Sequence, residues 1–143
     1  MEEGTDCIDK LYDYTIKNNQ RFYTLRQSIT EFGSAAYRLM REKKFTELEA
    51  SKYLYNFLHE SNCMMVLMDA DDTIIRISLE LVYKYPLKAV DTLHLSCALD
   101  LHQRTGSAFF VSDDYKLCGA ASSEGLPVLI PTNETALPLI KNF

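Results

Sequence analysis

The run Cys63–Met68 is apolar at every position. A stretch of that length with no polar interruption reads as a strand buried on both faces, and it is far too short to cross a membrane. Such a strand needs helices above and below it. The chain supplies them, because its other apolar runs alternate with segments of helical periodicity.

Thr5 followed by Asp6 reads as a helix start, with Cys7, Ile8, Leu11, Tyr12, Tyr14 and Ile16 recurring behind it. Asn18-Asn19 ends that helix, and Phe22–Leu25 is a short β-favouring run. Ser28-Ile29-Thr30-Glu31 and Thr46-Glu47-Leu48-Glu49 both fit the capping box, each opening a helix. Asp69, Asp71 and Asp72 lack the glycine and distal Glu of a calcium loop and read as helix-start acids. The helix they open stops near Pro86. A further helix covers Leu87–Leu101 and ends at Thr105-Gly106, and Ala108–Val111 is a strand. Ser112-Asp113-Asp114 caps a helix through Ala121, and Val128–Ile130 is a last strand. Four strands and six helices in this order predict an α/β three-layer sandwich, a central parallel sheet flanked by helices, as a single domain over residues 1–143.

Lys and Arg number 15 against 20 Asp and Glu, a formal charge of −5. That balance argues against a passive, charge-driven nucleic-acid binder but not against an enzyme that meets a polyanion through metal. Cys7, Cys63, Cys97 and Cys118 form no CxxC pair and read as buried free thiols, which suits a cytoplasmic protein.

In open parallel sheets, sites form beyond the carboxyl ends of strands. Glu31 lies just past the Phe22–Leu25 strand, and Asp113 and Asp114 lie just past Ala108–Val111. Asp91 lies near the start of the helix that leads into the second of these. If the ends converge, the carboxylates would repel unless a cation joined them. All-oxygen ligands select Mg²⁺ or Mn²⁺, and such an ion activates water for phosphodiester hydrolysis. Each acid also has a local account. Glu31 can complete the Ser28 capping box, and Asp91, Asp113 and Asp114 can stabilise helix starts.

Three segments carry a wider pattern: Ser28-Ile29-Thr30-Glu31-Phe32, Ala89–Ala98 with Asp91 and His94 inside it, and Phe109–Leu117 with Ser112-Asp113-Asp114. Together with the tail Ala120 to Val128 they resemble the PIN-domain family, in particular the VapC-like toxin ribonucleases. The resemblance spans residues 5–132. It implies an endoribonuclease, the toxin of a toxin–antitoxin pair, in which an antitoxin chain blocks the acidic cleft. It assigns Glu31, Asp91 and Asp114 to catalysis, adds Asp113 to the metal ligands, and gives Ser112 an orienting role. PIN domains open with a central strand ending in an Asp; here Met1-Glu2-Glu3-Gly4-Thr5 stands in that place. The sequence thus reads as a PIN-like domain lacking its first strand and first acid. A truncated start, a strand supplied by another chain and a rearranged relative all account for that. The alternative is a catalytically impaired domain that acts as a protein or RNA interaction module.

Arg21, Arg26, Arg38, Arg41, Lys43 and Lys44 form a basic group able to face RNA phosphates or simply solvent. His94 reads as a packing or hydrogen-bonding residue, and His59 and His102 as cations at helix ends. Tyr53, Tyr55, Phe57 and Leu58 suggest a helix with apolar residues on more than one side, suited to a homodimer.

Overall fold

A computed structural model describes residues 4–133 and residue 136. Met1, Glu2 and Glu3, part of the segment on which the expectation of a lacking first strand rests, lie outside them. The elements are α1 (Thr5–Lys17), β1 (Phe22–Leu25), α2 (Ser28–Arg41), α3 (Glu47–Met64), β2 (Met65–Met68), α4 (Asp72–Lys84), α5 (Ala89–Thr105), β3 (Phe110–Val111), α6 (Tyr115–Ser123) and β4 (Val128–Leu129).

The expected central sheet is not formed. The described strands make two separate two-stranded sheets, β1 with β2 and β3 with β4, both parallel. A sheet grows only where a strand offers both edges to neighbours, and among the described residues no strand pairs with both couples. The protein is therefore predominantly helical, and the three-layer α/β sandwich is overturned. The chain divides into two compact units, one of Met1–Gln20 with Ala70–Phe143 and one of Arg21–Asp69.

In the Arg21–Asp69 unit, Phe22 to Leu25 stand opposite Met65 to Met68 in register. α2 and α3 form the crossover between these parallel strands, as parallel pairing demands. Phe32 of α2 stacks on Tyr53 and Phe57 of α3, with ring centroids 4.8 and 3.9 Å away. Two residues predicted for a dimer surface, Tyr53 and Phe57, thus touch α2, though Tyr53, like Tyr55, remains exposed. The Thr46 capping box forms: its hydroxyl accepts from Glu49 N–H at 3.2 Å, and the Glu49 carboxylate accepts from Thr46 N–H at 2.8 Å. The Ser28 box does not. Gln27 is the N-cap of α2, and Ser28 Oγ instead meets Thr24 Oγ1 at 2.6 Å. Arg26 and Asp69, one residue past each strand, pair at 2.7 Å.

In the other unit, Leu81, Leu95, Leu99, Phe110, Leu117, Ala120, Ala121 and Leu126 form the main core. α5 runs through it. Its buried hydroxyls bond to carbonyls one turn back, Thr92 to Lys88 at 2.8 Å and Ser96 to Thr92 at 2.7 Å. Cys7, Leu129 and Ala136 form a smaller cluster. Cys7, Cys97 and Cys118 are buried, but Cys63 is exposed, contrary to expectation. His102 is more than a surface cation: its Nδ1 lies 3.2 Å from the Ala108 carbonyl oxygen. The N-cap of α1 is Gly4, not Thr5. Gly4 has φ of 88°, and a Cβ there would lie 3.2 Å from the Pro131 carbonyl carbon. Gly4→Ala is expected to lower unfolding free energy by about 1–3 kcal/mol in a urea melt; an unchanged midpoint would show that the turn relaxes freely.

Candidate functional site

At the carboxyl end of β3 the chain turns through Ser112, Asp113 and Asp114 into α6. Asp114 is the N-cap. Its Oδ1 accepts from the N–H groups of Lys116 at 2.8 Å and Leu117 at 3.1 Å. Ser112 Oγ accepts from Asp114 N–H at 3.1 Å, so this hydroxyl orients the acid's backbone. Asp113 bonds elsewhere: its Oδ1 accepts from Thr132 N–H at 3.3 Å and from Thr132 Oγ1 at 3.1 Å.

Asp91 occupies the first turn of α5, one turn beyond the N-cap residue Lys88. The Leu117 and Lys116 backbone donors hold the Asp114 carboxyl below the usual range, aided by the charges of Lys116 and Lys88. Lys88, the N-cap of α5, thus lies within electrostatic reach of Asp114, the N-cap of α6, and the two helices pack together. Each amino end carries an acid and the positive pole of a helix. His94 follows Asp91 by one turn and is half-buried.

Glu31 belongs to the Arg21–Asp69 unit. It sits in the first turn of α2, past the carboxyl end of β1. With Thr30, Ser34, Ala35, Arg38 and Arg41 it lines a surface cavity of about 430 Å³. Arg38 and Arg41 are the two cations of the predicted basic group that share its surroundings. Arg26 is engaged by Asp69, and Lys44 pairs with Glu42 at 2.8 Å. Of Asp69, Asp71 and Asp72, Asp71 caps α4 through Ile74 N–H at 3.0 Å and Asp72 lies in its first turn.

Among the described residues, no group of three or more His, Cys, Asp or Glu side chains is arranged to hold a metal ion. The donors at the α5 and α6 ends are carboxylate oxygens, whose chemistry suits Mg²⁺ or Mn²⁺. Mg²⁺ in particular is commonly held by one or two carboxylates with water and substrate phosphate completing its shell. The three buried cysteines are poorly suited to thiol chemistry. Burial pushes Cys97 up to about 11, and burial likewise raises Cys7 and Cys118, with the Asp113 charge adding to both. These groups are thiols, not nucleophilic thiolates, at neutral pH.

Lys88 and Thr132 escaped the sequence reading. Neither lies in a motif; Thr132 hydrogen-bonds Asp113, and the charge of Lys88 reaches Asp114, only through the tertiary fold. The Asp114 cap leaves a measurable trace. Its folded pKa is depressed, so its stabilisation is complete above the unfolded value of about 3.9 and is lost as pH falls through the folded one. Asn also caps helices but does not titrate. Asp114→Asn is therefore expected to flatten the acid limb of stability below about pH 4. Parallel thermal melts would check this; identical acid limbs would refute it.

No protein-family model matches the chain, and no curated protein matches it.

Proposed function

We propose that the chain is a divalent-metal-dependent endoribonuclease that hydrolyses RNA phosphodiester bonds, and that it is the toxin of a toxin–antitoxin pair, as its motif resemblance implies. The observation that carries this reading is that α5 and α6 pack together, with Asp91 in the first turn of one, Asp114 at the N-cap of the other, and the charge of Lys88 at the α5 N-cap reaching Asp114. Asp91 and Asp114 would hold Mg²⁺ or Mn²⁺. Such an ion supplies Lewis acidity and lowers the pKa of an attacking water.

The chain's own groups have separable tasks. Asp114 is fixed by two backbone donors on Oδ1, so its carboxylate direction is set before anything binds. Ser112 fixes the backbone beneath it. Lys88 offers a cation to an RNA phosphate, and the two helix ends add N–H dipoles that favour the same anion. In the other unit, Arg38 and Arg41 with the Thr30 and Ser34 hydroxyls offer backbone-phosphate contacts. The part of Glu31 in the chemistry rests on the motif alone.

One observation favours a second reading, an impaired domain that acts by association. Asp113 and Asp114 both already make structural hydrogen bonds. End-labelled single-stranded RNA separates the two. Cleavage in Mn²⁺ that stops in EDTA is the expected result. Intact RNA in Mg²⁺ and in Mn²⁺ would overturn the nuclease and leave the association reading.

A further inference from the structure

Tyr115, Cys118, Gly119 and Ser122 follow one another along α6 at helical spacing, which sets them on one face of the helix. With Val128 of β4 and Asn133, that face lines a cavity of about 320 Å³. Pockets for small ligands span about 300–1,000 Å³, so this one has room for a single ring system. Among the described residues, no Asp, Glu, Lys or Arg lines it. An anion or a cation would find no counter-charge there. The Tyr115 ring is 64% exposed and offers a π face. Val128 adds an apolar side, and Ser122 and Asn133 carry both donor and acceptor atoms. An aromatic plane, an apolar wall and neutral polar groups suit a planar heterocycle with a hydrogen-bonding edge.

Gly119 strengthens the match. Glycine inside a helix is destabilising relative to alanine. At Gly119 neither backbone nor packing calls for it: its φ is not positive, and a Cβ there would meet no atom within 4 Å. Its effect is to leave the cavity wall open at the middle of the helix, where a flat ring can approach the backbone.

The cavity is tied to the turn that carries the candidate acids. The Cys118 thiol, on its wall, donates to the Ser112 carbonyl oxygen at 3.3 Å. Tyr115 directly follows Asp114, and consecutive Cα atoms are only about 3.8 Å apart. A strand with a phosphate beside Asp114 therefore has a base close to Tyr115. Single-stranded RNA is recognised in this way, by unstacked bases laid on aromatic side chains and hydrogen-bonded at their edges.

We propose that the α6–β4 cavity binds an unstacked nucleobase of single-stranded RNA, with Tyr115 as its stacking platform and Gly119 as the opening that admits it. The proposal rests on the reading that RNA is the substrate, and it adds the residues that select a nucleotide next to the cleaved phosphate.

Fluorescence anisotropy of a fluorescein-labelled single-stranded RNA, titrated with the full chain, tests this. Ca²⁺ is present as a hard cation that can join carboxylate to phosphate, and the strand is checked for intactness afterwards. Tyr115→Ala is expected to weaken binding about tenfold or more, the scale of one lost base stack. Tyr115→Phe keeps the ring and is expected to bind within about twofold of the wild type. Gly119→Leu fills the opening while raising helix propensity, and is expected to bind as weakly as Tyr115→Ala with unchanged circular dichroism. Wild-type binding by Tyr115→Ala or by Gly119→Leu would overturn the proposal. So would a wild-type chain that binds AMP or UMP but not the labelled strand, or binds neither. The two readings fail separately. A chain that cuts no RNA in Mn²⁺ but binds it through Tyr115 refutes the nuclease and leaves this site. Cleavage with the same KM in the wild type and in Tyr115→Ala refutes this site and leaves the nuclease.

Discussion

Asp91→Asn is expected to slow metal-dependent RNA cleavage by about 100-fold or more, the scale on which loss of a charged group from a hydrolytic metal site acts. The carboxamide matches the carboxylate in size, so packing around the first turn of α5 is preserved. It cannot supply the negative charge that a hard cation requires. The same change removes a favourable interaction with the helix dipole, worth at most about 2 kcal/mol at this half-buried position. Cleavage and stability should therefore separate: a large fall in single-turnover rate beside a small shift in melting. A cleavage rate unchanged in Asp91→Asn would remove this acid from the chemistry. A parallel loss of rate and fold would make it structural.

Leu95→Ala is expected to lower unfolding free energy by about 2–5 kcal/mol. Leu95 has no exposed surface and stands in the main core with Leu81, Leu99, Phe110 and Leu117. Removing its branch withdraws apolar surface from burial and leaves a cavity that helices on either side fill only in part. Domains have about 5–15 kcal/mol of stability in all, so the loss is a large share. The denaturation midpoint should fall while the urea dependence stays constant, the mark of a change in stability alone. Leu79→Ala, at an exposed position of α4, should change the unfolding free energy by no more than about 0.5 kcal/mol. Similar losses at both positions would contradict the burial described for α5.

Local chemistry predicted local structure well, and pairing poorly. Phe22–Leu25 is a strand with the expected bounds because β-favouring residues sit between polar breaks. Thr46 and Asp114 are caps because their side chains reach donors two or three residues away. The Ser28 box failed for a reason outside its four residues, the competing Thr24 hydroxyl. Cys63 and Met64, read as strand, belong to the last turn of α3, since a short apolar run carries no periodicity to separate helix from strand. Which strands would pair could not be read from residue types at all. Hydrogen bonding between β1 and β2, or between β3 and β4, is decided by segments far apart along the chain. The motif acids were visible as types in a pattern. That the charge of Lys88 reaches Asp114 was not, for the same reason.

The hydroxyls of Thr92 and Ser96 bond to carbonyls of their own helix, and no buried side-chain nitrogen or oxygen among the described residues lacks a partner. α5 is in this sense self-contained. At Thr92 and Ser96 the helices beside it are asked only for shape. Apolar positions on α4 and α6 that face these two hydroxyls can accordingly drift through equal-volume substitutions without orphaning either of them.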